Sequence, residues 1–455
     1  MFRTNTIARA FAPLALALTA LPVAAQDTER MDALIAAEAD SGAFMGVISV
    51  TNDQGTVLEG AWGSANLEWD IPNSVDTKFR IGSVTKQFTS VAIMLMAEQG
   101  KLSLDAPIST YLDDTPETWE AITVRQMIRH TAGLPNVTSL EGFGNLSKLD
   151  TTQEEVIAFF RDKPLDFEPG TKWDYSNSGY VLLSRIVEKM SGTSIAEHFD
   201  DTFFTPLGMT NTGFDVSADI LPKRASGYSP SEDGPVNAGY VYMGIPTGAG
   251  AMYSTVGDLH KWNTALYEGK ILSDESLTEF LKPTEFDAIG DSRYAHGVMA
   301  LTNDAGGYYW HSGGIQGFNA WLGYDTQRKT SVAVLANLNG GAASKLGSQL
   351  MTLAQGGTIT LASERGETAI AADDMAELEG TYALAPTFKI TVFVEDGKLM
   401  TQATGQGAFE LFREEGDKYF LKVVDAQVHF TRDASGAVTG LTLFQGGQEL
   451  PAPKE

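Results

Sequence analysis

The chain has 455 residues, no cysteine, only 6 histidines, and 32 basic residues against 58 acidic ones. Without cysteine there is no disulfide and no thiolate metal site, so stability has to come from the core. The histidines form no His-x-His or His-Glu-x-x-His cluster, and no metal is expected. A net charge of −26 repels nucleic acid and anionic membranes, so neither is expected as a partner. The chain also lacks a Gly-x-Ser-x-Gly elbow, a Gly-x-x-x-x-Gly-Lys-Ser/Thr loop and a Rossmann fingerprint in a strand-to-helix setting. These absences disfavour an alpha/beta-hydrolase and a nucleotide enzyme, and no cofactor is expected.

The N-terminus carries Arg3 and Arg9, an apolar run from Ala10 through Leu21 and the small residues Val23-Ala24-Ala25. Residues 1–25 thus read as a secretory signal peptide, with the mature chain beginning near Gln26 in the periplasm or outside the cell. An uncleaved anchor is the lesser alternative, since the apolar run is interrupted by Pro13 and short for a membrane span. Loss of the two arginines takes the net charge from −26 to −28.

Ser83 is the only serine with a lysine three positions later, Lys86. On a helix these side chains lie one turn apart on one face, with Cβ atoms about 5–6 Å from each other. A free hydroxyl is a poor nucleophile and needs a neighbour to take its proton. A lysine made less basic by desolvation meets that need. Phe88, Val91, Ala92, Leu95 and Met96 recur at helical spacing and Gly100 is a stop signal, so an amphipathic helix is predicted with Ser83 at its start. Backbone N–H groups are unpaired at such a start and are able to hold an oxyanion. Taken alone, Ser-x-x-Lys favours the plainer reading of a helix cap and a solvated lysine. Tyr175-Ser176-Asn177 alone is compatible with a turn after Pro169-Gly170, and His311-Ser312-Gly313-Gly314 with a glycine-rich strand end.

In this order and context the three motifs resemble those of the serine beta-lactamase-like hydrolases. That family includes class C beta-lactamases, DD-peptidases, D-aminopeptidases and family VIII esterases. Further landmarks are His130-Thr131-Ala132-Gly133-Leu134-Pro135 and the run from Gly248 to Trp262. The resemblance implies Ser83 as nucleophile, with Lys86 and Tyr175 as the proton-transfer pair. It implies Asn177 as a polar positioner of substrate, and residues 311–314 on the sheet edge flanking the substrate. The N–H groups of Ser83 and Gly314 would form the oxyanion hole. Beta-lactamases of this type usually carry Lys-Thr-Gly where this chain has His311-Ser312-Gly313, and a neutral histidine holds a carboxylate less firmly. The expected substrate is therefore a small ester, peptide or amide, with a D-configured residue as one option. A beta-lactamase or a penicillin-binding DD-carboxypeptidase or sensor is the alternative. Trp310 is expected to pack.

The fold implied is α/β (α+β): residues 26–358 form an antiparallel sheet flanked by helices, with an all-helical subdomain. Gly46 to Trp62 reads as a hairpin around Asp53-Gln54-Gly55; strands return at Tyr308–Trp310, Ala320–Tyr324 and Ser331–Leu335, followed by a helix from Ala342 to Ala354. Polar, acidic residues 359–374 read as a linker. Residues 375–455 alternate apolar and polar positions between glycine turns, which predicts a small antiparallel β-barrel resembling a lipocalin-like domain. Such a closed module permits either monomer or dimer.

Overall fold

The computed structural model describes residues 27–455 except 232, 304–305, 362–363, 386–387, 423–425 and 446–447. The expected signal peptide, residues 1–25, lies outside the described residues.

The chain begins with helix α1 (Thr28–Asp40) and a hairpin of strands β1 (Gly46–Asn52) and β2 (Gly55–Trp62). Six further strands complete its sheet: β3 (Asp287–Ile289), β4 (Ser292–Tyr294), β5 (Met299–Asn303), β6 (Gly306–Ile315), β7 (Phe318–Asp325) and β8 (Thr330–Ala336). Among the described residues the order is β3-β4-β5-β6-β7-β8-β1-β2, antiparallel throughout. The period-2 pattern of the central strands divides their side chains between two cores. Ile48, Val50, Trp321, Val332 and Val334 pack with Leu34 and Ile35 of α1 and with Leu346 and Leu350 of α5 (Ala342–Ala354). On the other face, Val47, Ala320, Leu322, Ala333 and Leu335 join a larger core that contains helices α2 (Thr85–Glu98), α3 (Asn177–Ser191) and α4 (Val256–Tyr267). Residues between α2 and α4 supply the helical subdomain.

Helix α2 carries the predicted nucleophile at its start and ends as expected, with Gly100 in the left-handed region at φ +69°. Its amphipathic reading needs revision. Every residue from Thr85 to Met94 is buried, because the helix runs through the larger core. Phe88, for example, stacks on Trp262 of α4 at 3.7 Å between ring centroids. Only the last residues reach solvent.

The C-terminal segment forms short antiparallel strands, as the alternating pattern predicts, yet it is not a closed barrel. Four strands from Gly380–Ala385 to Ala408–Glu410 make one sheet, and five from Phe412–Glu415 to Gln448–Pro453 make another. The chain crosses between them at buried Leu411, and on the far side the sheets meet, among the described residues, at a single bridge, Tyr382 with Lys454. A barrel requires a continuous ladder around its circumference. Here a shared core of Tyr382, Val392, Leu399, Tyr419, Val428 and Leu441 holds two sheets together instead. The expected linker also contains a helix, Ala372–Leu378, overlapping its end.

Candidate active site

A tight 3-10 turn, Gly82–Val84, leads directly into α2 and presents Ser83. Gly82 has φ +50° and lies so close to β6 that a methyl group on it would sit 2.8 Å from Gly314 N. Gly313 is equally constrained: an added Cβ would meet Ile81 O at 1.9 Å. Two glycines thus bring the Ser83 turn and the strand into backbone contact. The ladder between β5 and β6 ends where Met299 pairs with Trp310, whereas pairing with β7 continues to Ile315. Residues 311–315 therefore have a free flank within an interior strand, which is how the third motif comes to be locally a sheet edge beside Ser83.

Lys86 Nζ lies 3.1 Å from Ser83 Oγ, 2.8 Å from Asn177 Oδ1 and 2.8 Å from the Ala249 carbonyl oxygen. Its side chain is fully buried, and this desolvation pushes its pKa well below the usual lysine value. In the neutral form that desolvation favours, the amine has two N–H donors and one lone pair. Asn177 and Ala249 offer only acceptor oxygens, so they take the donors and leave the lone pair for the Ser83 hydroxyl. The rings of Tyr175 and Tyr180 lie 4.9 and 5.2 Å from the same nitrogen.

Tyr175, half-buried, packs its ring against that of His130 at 4.2 Å between centroids, tilted by 36°. Desolvation pushes its hydroxyl pKa up, opposed in part by a hydrogen bond with Ser83. The His130–Pro135 landmark is the clamp that positions this motif. His130 takes a positive φ of 58° and its Nδ1 accepts from Ser176 N–H at 3.1 Å, while its backbone oxygen accepts from Asp174 N–H. Ser178 Oγ donates to Pro135 O at 2.6 Å and accepts from Val137 N–H. Asn177, at the start of α3, donates through Nδ2 to Asn136 Oδ1 and Thr138 Oγ1, which fixes its oxygen toward Lys86.

His311 is buried with its Nδ1 2.6 Å from Ser312 O and its Nε2 3.1 Å from the Tyr294 hydroxyl. A carbonyl only accepts, so Nδ1 carries the proton and Nε2 accepts from Tyr294. Burial pushes its pKa down to about 3, so the ring is neutral. Trp310 packs as expected, stacked on Trp321 at 6.0 Å.

The structure therefore brings together Ser83, Lys86, Tyr175, Asn177, His311, Ser312, Gly313 and Gly314. Two clefts open from Ser83. The larger, about 560 Å3, is walled by Val137, Phe143, Val181, Val241, Ile245 and Ile315, with Asn177 and Gln316 among its polar groups. The smaller, about 240 Å3, lies between Tyr175, Met299, Trp310 and His311. Among the described residues, no Asp, Glu, Lys or Arg lines either. Sequence reasoning missed the Ala249 carbonyl, a backbone atom without a side-chain signature. Gly248 and its neighbours in the recognised 248–262 run were the available hint: Gly248 packs so tightly on Thr89 and Ser184 that a Cβ would meet their hydroxyls at 2.6 and 2.5 Å. Tyr294 was missed because its contact with His311 exists only once β4 and β6 share a sheet.

The family model described as Beta-lactamase matches residues 31–355, and one described as a domain of unknown function (DUF3471) matches residues 364–452. Penicillin-binding protein 4* of Bacillus subtilis (strain 168) is 25% identical over 432 residues, covering 90% of this chain and 94% of that protein. The octameric penicillin-binding protein homologue from Pyrococcus abyssi superposes with a TM-score of 0.68 at 27% identity, over 94% of this chain and 100% of that one. D-amino acid amidase from Ochrobactrum anthropi SV3 gives a TM-score of 0.62 at 25% identity, over 71% and 97% of the two chains. The chain belongs to the beta-lactamase family and is a serine hydrolase.

Proposed function

We propose that the protein hydrolyses small esters or amides that are uncharged next to the scissile carbonyl, through an acyl-enzyme on Ser83. The carrying observation is a desolvated lysine 3.1 Å from the Ser83 hydroxyl, beside clefts that no Asp, Glu, Lys or Arg lines among the described residues. Ser83 Oγ attacks the carbonyl carbon and its proton passes to the neutral Lys86 amine. The Ser83 and Gly314 N–H groups receive the oxyanion. The bond to the leaving group breaks as that group takes a proton delivered through Tyr175 from Lys86. Water then enters with its proton going to the same pair, and the acid product leaves with Ser83 restored. Asn177 acts through Lys86, holding its amine, as well as lining the larger cleft.

The uncharged lining weighs between substrate classes. A beta-lactam or a peptidoglycan C-terminus presents a carboxylate near the reacting carbonyl, and a D-aminoacyl amide with a free amine presents an ammonium. Neither finds a counter-charge in the two clefts. A penicillin-binding activity is the second reading, favoured by likeness to penicillin-binding protein 4* along nearly the whole chain. Export, read from residues 1–25, belongs to the same proposal, as does the absence of a nucleic-acid partner.

The test compares 4-nitrophenyl butyrate, D-phenylalanine amide and benzylpenicillin on the wild type and on Ser83→Ala, with intact mass recorded in parallel. Ester turnover that Ser83→Ala abolishes supports the proposal. A lasting penicillin adduct without ester turnover transfers the assignment to the second reading. Near wild-type turnover by Ser83→Ala sinks both. For export, the secreted or periplasmic form should lack the first 25 residues by mass.

A further inference from the structure

A third cleft, of about 530 Å3, adjoins the larger catalytic one and shares Val241 and Gln316 with it. It differs in lining, because two guanidiniums reach it. Arg80 Nε lies 2.6 Å from Asp215 Oδ2, and Arg224 Nη1 lies 2.7 Å from Asp215 Oδ1. The carboxylate between them is buried, its side chain 1% exposed, whereas the arginines are 16% and 29% exposed. One anion thus serves two cations. Neither guanidinium has another ion-pair partner among the described residues, so most of their N–H donors are left over. Arg80 is further fixed over the Phe318 ring at 5.7 Å. Asp219 also lines this cleft but is exposed on its rim. Arg80 precedes Ser83 by three residues, which limits the separation of their Cα atoms to about 11 Å.

We propose that this cleft is a subsite for a carboxylate at the far end of the substrate. An extended acyl chain bound at Ser83 passes Val241 and Gln316 and delivers its terminal anion to Arg80 and Arg224, whose planar donors match a carboxylate. This inference rests on the Ser83 ester-hydrolysis reading and narrows it: uncharged beside the reacting carbonyl, anionic at the distal end.

The decisive comparison uses the 4-nitrophenyl ester of adipic acid with its second carboxyl free against the same ester with that carboxyl methylated. On the wild type, kcat/KM should favour the free acid by tenfold or more, and raising NaCl from 50 to 500 mM should shrink that ratio several-fold. Arg224→Gln should abolish the preference while leaving the methylated ester within twofold of wild type; Asp215 keeps Arg80 as partner in this variant. Equal turnover of the two esters by the wild type, or a preference that survives Arg224→Gln or high salt, overturns the subsite and leaves the Ser83 reading intact. If neither ester turns over, that reading has failed. Calorimetric titration of Ser83→Ala and of Ser83→Ala/Arg224→Gln with adipic acid monoamide then decides the subsite by itself. Tenfold weaker binding in the double variant supports it, and equal binding or none overturns it.

Discussion

The side-chain oxygen of Asn177 lies 2.8 Å from Lys86 Nζ, and the Asn177 amide nitrogen is held by Asn136 and Thr138 so that the amide is not free to turn. Asn177→Asp would place a carboxylate where a neutral acceptor now sits. An opposite charge at this distance raises a lysine pKa by about 1–3 units. At pH 7 the neutral amine becomes scarcer, and kcat/KM should fall, by at most about 1000-fold. The limb of the pH–rate profile that rises with pH should move upward, so that activity partly returns in alkali. An unshifted limb would rule out Lys86 as the proton acceptor.

Gly313 and Gly314 are neighbours with different tolerances. A Cβ at Gly313 would overlap the Ile81 carbonyl at 1.9 Å, a backbone atom with little room to retreat, while at Gly314 the nearest atom is Asn319 Nδ2 at 3.4 Å. Gly313→Ala should therefore cost about 1–3 kcal/mol in urea unfolding, and push the Ser83 turn off β6 with a loss of activity of tenfold or more. Gly314→Ala should keep near wild-type stability.

Tyr294→Phe removes the donor to His311 Nε2 and leaves that nitrogen buried without a partner. A loss of about 1–3 kcal/mol is expected, readable as a lowered midpoint of denaturation. The same substitution at exposed Tyr240 should be silent.

His130, His296 and His311 are buried. Burial puts His296 and His311 at about 3 and His130 well below its usual value. Each has a folded pKa below the unfolded one, so the unfolded chain binds the extra proton. Stability is then retained above the ordinary histidine value near 6.5 and falls as the pH drops toward 3, by about 1.4 kcal/mol per pH unit for each ring. Urea titrations between pH 7 and 4.5 should show the decline beginning near pH 6, ahead of most carboxylates. Flat stability down to pH 5 would contradict neutral burial of these rings.

Much of this site is legible in the sequence because its key pairs are local. Ser83 and Lys86 are one helical turn apart, Tyr175 and Asn177 flank a single residue, and residues 311–314 share one strand. What is illegible comes from long-range approach. Ala249 contributes a carbonyl, which every residue has; His130 reads as part of a landmark but acts through a ring nitrogen on Ser176 N–H. The C-terminal strands are legible from alternation, whereas closure is not. Period-2 patterning marks which side chains face inward and is the same for a barrel and for two facing sheets.

The position of β1 in the sheet has a consequence for how the chain acquires its structure. β1 is bordered by β2 and by β8, with Gly46 paired to both Trp62 and Ala336. The hairpin at the beginning of the hydrolase domain thus waits for a strand near that domain's end, and the loop to be closed spans most of the catalytic machinery. Such sequence-distant pairing makes for slow folding. Until Ala336 is available, β1 has an open flank with unpaired backbone groups. A chain interrupted before β8 is left as an incomplete sheet prone to edge-to-edge association, and synthesis has to run nearly to α5 before the Ser83 turn meets a completed sheet.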